Sequence, residues 1–141
     1  MAMWLLDVNA LVAIGWEEHE CHSIVLARLG ALDGDQWASC AITQLGFMRI
    51  SSTPGLLQPA CTPAGAREVL SALLTHPQHR FLSDPPAAPV TLSAEIGVLK
   101  GYRQITDAYL IALARHHRTG LLSFDRGMYQ LATDVVELLH T

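Results

Sequence analysis

Met3-Trp4-Leu5-Leu6-Asp7-Val8-Asn9-Ala10-Leu11 sets four apolar residues in a row and stops them with an acid. So short and continuous an apolar run reads as a strand buried on both faces. Asn9 offers a cap for a helix over 10–14. The alternation repeats outward from there. A helical pattern over 17–29 has Ile24, Val25, Leu26 and Leu29 as its apolar side, and Asp33-Gly34-Asp35 marks a turn. A strand is expected over 37–40, and Thr43 opens a helix over 44–50. Residues 51–61 are rich in Pro, Gly and Ser and read as a loop. Thr62-Pro63 gives a cap and a first-turn proline for a helix over 64–75. A third strand over 80–83, a three-proline loop over 84–89 and a helix over 92–100 follow. Thr106 caps a strong helix over 107–117, which Gly120 ends. Leu121-Leu122-Ser123-Phe124 is strand-like and runs into Asp125, and a last strand covers 135–139. Strands alternating with helices predict an α/β fold, a parallel sheet with helices on both faces.

A chain of 141 residues fits one domain over 1–141. Half its residues are apolar and 16% are charged, which excludes disorder, because such a chain buries enough apolar surface to offset its ordering entropy. No run of about 18 apolar residues is present to span a membrane. The first residues lack a basic leader and Asp7 interrupts them, which argues against a secretory signal. Cys21, Cys40 and Cys61 are odd in number and irregular in spacing, so they read as reduced thiols of a cytoplasmic protein.

The net charge of -4 argues against a protein that merely coats nucleic acid. Residues 100–126 differ, with Lys100, Arg103, Arg115, Arg118 and Arg126 against Asp107 and Asp125. Such a segment suits a phosphate backbone, and equally a solvated helix face.

Two acids, Asp7 and Asp125, sit just past apolar strand runs, at the carboxyl ends where open parallel sheets bind ligands. Asp107 lies in a helix first turn, where the dipole favours an anion. Each alone suits an ordinary loop or first-turn acid. Together they form a candidate cluster. Two carboxylates about 4 Å apart repel by about 4 kcal/mol at an effective dielectric near 20, so a cluster takes up protons or binds a cation. Hard oxygens suit Mg²⁺ or Mn²⁺.

Leu5-Leu6-Asp7-Val8-Asn9-Ala10-Leu11, Ile105-Thr106-Asp107-Ala108-Tyr109-Leu110-Ile111-Ala112-Leu113-Ala114 and Leu122-Ser123-Phe124-Asp125-Arg126-Gly127 resemble the motifs of the PIN domain, in the expected order and over nearly the whole chain. The likeness is greatest to the VapC-type toxins of bacterial toxin–antitoxin pairs. The resemblance implies a three-layer fold with a parallel sheet of about five strands. It implies a divalent-metal-dependent endoribonuclease leaving 5′-phosphate and 3′-hydroxyl ends, and an antitoxin whose tail covers the site. It implies that Asp7, Asp107 and Asp125 bind Mg²⁺ or Mn²⁺, with Asn9 and Thr106 in support. Homodimerisation is common in that family. Lys100, Arg103 and Arg126 are the expected contacts to the RNA backbone.

One position departs. Ser39-Cys40-Ala41-Ile42-Thr43-Gln44-Leu45-Gly46-Phe47-Met48-Arg49-Ile50 resembles the second motif, where the family usually has Glu at the place of Gln44. An amide is a weaker ligand for a hard cation, so activity is expected to be reduced or absent. The amide belongs to the natural chain, or it was introduced to silence a toxic enzyme. Gln44 gives weight to a second reading, a silent PIN-like domain that binds antitoxin or RNA without cutting. A small-molecule phosphohydrolase fits less well, because Asn9 stands where a second acid is needed.

Other features point away from chemistry. His19-Glu20-Cys21-His22 has no zinc spacing and reads as helix surface, and His76, His79, His116 and His117 read as surface groups. Trp4, Trp16 and Trp37 are expected in or near the core.

Overall fold

Leu5 and Leu6 point to opposite faces of the sheet, and both are fully buried. They lie in β1 (Met3–Leu6), which occupies the centre of a five-stranded, all-parallel sheet. The computed structural model describes residues 2–57, 60–83 and 87–141. The other strands are β2 (Gln36–Cys40), β3 (His79–Leu82), β4 (Gly120–Ser123) and β5 (Val136–Leu138), in the order β3-β2-β1-β4-β5. Each differs by a residue or two at its ends from the sequence expectation. Parts of the expected loops over 51–61 and 84–89, namely Gln58, Pro59 and residues 84–86, lie outside the described residues.

The helices are α1 (Val8–Gly15), α2 (His22–Gly30), α3 (Ala41–Ser51), α4 (Pro63–Leu73), α5 (Ala88–Thr91), α6 (Ile105–His117) and α7 (Arg126–Leu131). Buried residues of α1, α2, α3 and α4 pack with Leu6, Trp37 and Leu122 on one face. Those of α6 and α7 pack with Leu5, Ala38 and Leu121 on the other. Full burial of each such leucine contributes about 2 kcal/mol or more relative to exposure. This is the three-layer arrangement expected of the sequence.

Several boundaries are corrections. Asp7, not Asn9, caps α1, because its backbone is extended and its side chain accepts from the Val8 N–H. Residues 17–21 form turns, so the second helix starts only at His22. There is no apolar stripe over Glu17-Glu18-His19-Glu20 to seat a helix on the core. The third helix begins at Ala41, and Thr43 sits inside it, bonding back to the Cys40 N–H at 3.0 Å. The helix expected over 92–100 is a turn followed by a 3-10 segment, Ile96–Val98, containing Gly97. Gln104, not Thr106, precedes the helix that carries Asp107. That helix stops at Arg118, which adopts a left-handed conformation with φ 57°, while Gly120 belongs to the next strand.

Gly120 has a packing reason. It pairs with Trp4 across β1 and β4, and a Cβ built on it would lie 2.3 Å from the indole. Arg28 covers that ring from 4.9 Å and reaches Glu137 of β5 through two bonds, of 2.6 and 3.1 Å. Trp37 is buried, and Trp16 stacks on Phe47 and donates to Ser51 at 2.9 Å. The three cysteines are free. Among the described residues, no helix is long and apolar enough to cross a membrane.

Candidate active site

All five strands run the same way, so their carboxyl ends share one edge. From β1 the chain turns toward β2, whereas the neighbouring β4 leads to β5 on the other side. Connections that diverge in this way leave a crevice, the usual ligand site of an open parallel sheet. Asp7 follows the last residue of β1, and Asp125 lies two residues beyond β4. Asp107 reaches the same crevice from the first turn of α6.

Asp7 is buried and fixed at both oxygens. Its Oδ1 accepts the Val8 N–H at 2.7 Å, and its Oδ2 accepts the Ser123 hydroxyl at 2.7 Å. Burial raises its pKa, the two hydrogen bonds oppose the rise, and the Asp125 charge adds to it. Asp125 caps α7, its Oδ1 accepting the N–H groups of Gly127 and Met128 at 2.7 and 3.3 Å.

Asp107 is half-buried, and no hydrogen bond reaches its carboxylate among the described residues. Its pKa is pushed up to about 6, first by burial and then by the negative charges of Asp7 and Asp125. Among the described residues, no basic side chain offsets them at Asp107. The three acids therefore sense one another in one anionic crevice. The folded protein holds the Asp107 proton more tightly than the unfolded chain does. The metal-free fold is thus destabilised as pH rises from the ordinary 3.8 through about 6, and it recovers on acidification.

The donors are hard oxygens, which fit a hard divalent cation. Among the described residues, no three His, Cys, Asp or Glu side chains are arranged to hold one ion directly. Mg²⁺ does not require such a cage, since it keeps several waters and commonly takes one or two carboxylates.

Ser123 is the residue that sequence reading missed. It donates to Asp7 and accepts from Asn9 Nδ2 at 3.3 Å and from the Asp125 N–H at 3.0 Å. Asn9 Oδ1 accepts the Phe124 N–H at 3.2 Å. Asn9 thus ties the start of α1 to the end of β4. The available signal was a small hydroxyl ending an apolar strand two residues before an acid. Thr106 is exposed beside Asp107.

Gln44 stands in the first turns of α3, two residues before Gly46, which packs against Val8. Its Nε2 donates to Ser39 Oγ at 3.0 Å, and that oxygen lies 2.7 Å from His79 Nε2. His79 is therefore no surface group: it is half-buried, with its ring 4.7 Å from that of Trp37. Of the 19–22 cluster, residues 19–21 form turns and His22 opens α2, with its Nδ1 held 2.8 Å from the Ala13 carbonyl.

Lys100, Arg103 and Arg126 are exposed, and none forms an ion pair among the described residues. Arg126 directly follows Asp125, and Lys100 and Arg103 lead into α6. Arg115 of the same basic stretch is instead occupied by Asp134, at 2.7 and 3.1 Å, and by Glu95.

A PIN domain family profile matches residues 4–134. The chain is 42% identical over 130 residues to Ribonuclease VapC38 of Mycobacterium tuberculosis, covering 92% of this chain and 90% of the relative. Among solved structures, the crystal structure of VapBC2 from Rickettsia felis bound to a promoter DNA fragment aligns with a TM-score of 0.70 at 10% identity, covering 98% of this chain and 99% of that one. Mycobacterium tuberculosis VapC20, described as a Sarcin-Ricin loop cleaving toxin, aligns with a TM-score of 0.67 at 15% identity, covering 97% and 99%.

Proposed function

The chain belongs to the PIN domain family, among its VapC members, and from that premise we propose that it is a divalent-metal-dependent endoribonuclease, the toxin of a toxin–antitoxin pair. The observation that carries this reading is the coupling of Asp107 to both Asp7 and Asp125, with the Asp107 carboxyl pushed up to about 6. Three acids in one crevice repel a phosphodiester unless a cation enters with it. Asp7, Asp107 and Asp125 are the residues that would hold Mg²⁺ or Mn²⁺. The ion supplies Lewis acidity at phosphorus and a water of lowered pKa.

The chain's own residues prepare that chemistry. Asp7 is oriented in advance by Val8 and Ser123, and Asp125 by its cap on α7. Asp107 carries no such restraint, and burial together with Asp7 and Asp125 makes its carboxyl hold a proton to higher pH than an ordinary one, a tendency a bound cation would oppose. Thr106 stands beside it in support. Lys100, Arg103 and Arg126, exposed and without an ion pair among the described residues, are the side chains to hold the RNA backbone. Leu45, Val98, Tyr102 and Ile105 are exposed on the segments that flank Gln44 and Asp107. They offer apolar surface to an antitoxin tail, the class of partner suggested by the VapBC2 neighbour. The chain acts as a homodimer in the cytoplasm, by likeness to its family.

A second reading, binding without cleavage, is favoured by the uncharged Gln44. Cleavage of a structured RNA by the Gln44→Glu variant separates the two. In Mg²⁺ and in Mn²⁺, Gln44→Glu is expected to cut about tenfold faster or more than the unmodified chain, equivalent to about 1.4 kcal/mol in the barrier. Equal and undetectable cleavage by both chains contradicts the nuclease and leaves the binding reading.

A further inference from the structure

Gln44, Ser39 and His79 form a hydrogen-bonded chain. Gln44 Nε2 is a donor only, so Ser39 Oγ accepts from it, and the Ser39 hydroxyl proton is free for His79 Nε2, 2.7 Å away, when that nitrogen is bare. A neutral His79 with a bare Nε2 takes that proton and carries its own on Nδ1, while a backbone hydrogen bond at Leu74 favours the charged ring. Gln44 Oε1 accepts no hydrogen bond among the described residues and is not sealed from solvent. Gln44 itself stands in the first turns of α3, at the carboxyl edge of the sheet. There α3 starts from β2 beside the end of β1, and Gly46 touches Val8, the neighbour of Asp7.

We propose that Ser39 and His79 are positioning residues that hold the Gln44 amide with its nitrogen on the sheet and its oxygen toward the Asp7 crevice, so that position 44 presents a neutral acceptor to the site. The inference rests on the reading of that crevice as the active site. It makes Gln44 an integrated part of this fold rather than a vacancy left by a missing acid.

The relay has a built-in sense of charge. On a protonated His79 both ring nitrogens donate, so Ser39 Oγ accepts from Nε2–H and turns its own proton to Gln44. An amide that rotates to accept it turns its NH₂ group toward the crevice, where a cation or a donor water is poorly served. Burial holds the His79 pKa below its ordinary value, opposed by the Leu74 carbonyl and helped by the charge of Arg80 and by His76. Neutral conditions therefore keep the acceptor outward. Trp37 and Ser39 on β2 contribute no charge to the ring.

NMR on the full chain, without metal or RNA, tests this. The Gln44 side-chain amide signals, assigned by their loss in Gln44→Glu, are expected to shift on acidification with the same midpoint as the His79 ring protons. Ser39→Ala is expected to abolish the amide's response while His79 still titrates. His79→Gln, which keeps an acceptor toward Ser39, is expected to hold the Gln44 amide in its neutral-pH state down to pH 5. In Gln44→Glu the carboxylate takes the Ser39 proton and Ser39 accepts from His79, so the His79 midpoint is expected to rise by about one unit. A Gln44 amide blind to His79 titration, or unchanged by Ser39→Ala, overturns the proposal and leaves the nuclease reading untouched. Failure of cleavage in the RNA assay does the reverse.

Discussion

Asp107→Asn is expected to lower RNA cleavage by about 100-fold or more while making the metal-free protein more stable. The two effects have one cause. The Asp107 carboxylate is forced close to two other negative charges and partly stripped of water, which the fold tolerates only because the site needs the charge. An amide of the same shape removes the repulsion together with a hard oxygen ligand. Loss of about 3 kcal/mol of transition-state stabilisation corresponds to the stated factor. Asp107 is only half-buried, so screening holds the stability gain to about 1 kcal/mol, or roughly 3–4 °C in Tm. Single-turnover cleavage in Mg²⁺ and a thermal melt in a chelator at pH 7.5 measure the pair. Retained cleavage rejects Asp107 as part of the site, and a lowered melting temperature contradicts the repulsion.

Gly120→Ala is expected to destabilise the fold by about 2 kcal/mol, or roughly 6–8 °C in Tm, although alanine alone normally stiffens a strand. The added methyl meets the Trp4 ring at 2.3–2.4 Å, deep inside contact distance. The indole cannot move freely, because Arg28 covers it and is itself held by Glu137. Trp4→Leu in the same chain is expected to return part of the loss. An unchanged melting temperature for Gly120→Ala would show that the Trp4 ring is not wedged there.

The sheet was legible because Leu5-Leu6 and Leu121-Leu122 are too short and too apolar for anything but strands buried on both faces. Asp7, Asp107 and Asp125 were legible because an acid that ends a strand or starts a helix has a defined place on the sheet edge. Helix ends were read less well. Asn9 and Thr106 are good cap residues by type, but Asp7 and Gln104 hold the positions that geometry selects. The apolar side at Ile24, Val25, Leu26 and Leu29 supports only the later part of the helix expected over 17–29, and 17–20 have no apolar residue to pack on the core. Short α7 escaped notice because its cap is Asp125, already assigned to the site. His79 was misplaced for another reason: its partner Ser39 is 40 residues away, and only the β2–β3 register brings the two together. Contacts of that range leave no local pattern to read.

The most direct test of the shared anionic crevice is a carbon-13 titration of the Asp107 carboxyl in the intact protein. Without divalent metal its midpoint is expected near 6, to fall in Asp125→Asn, and to fall again in the unmodified chain when Mg²⁺ is added. A metal-free midpoint at the ordinary 3.8, indifferent to Asp125→Asn, would mean that the three carboxylates do not share a site.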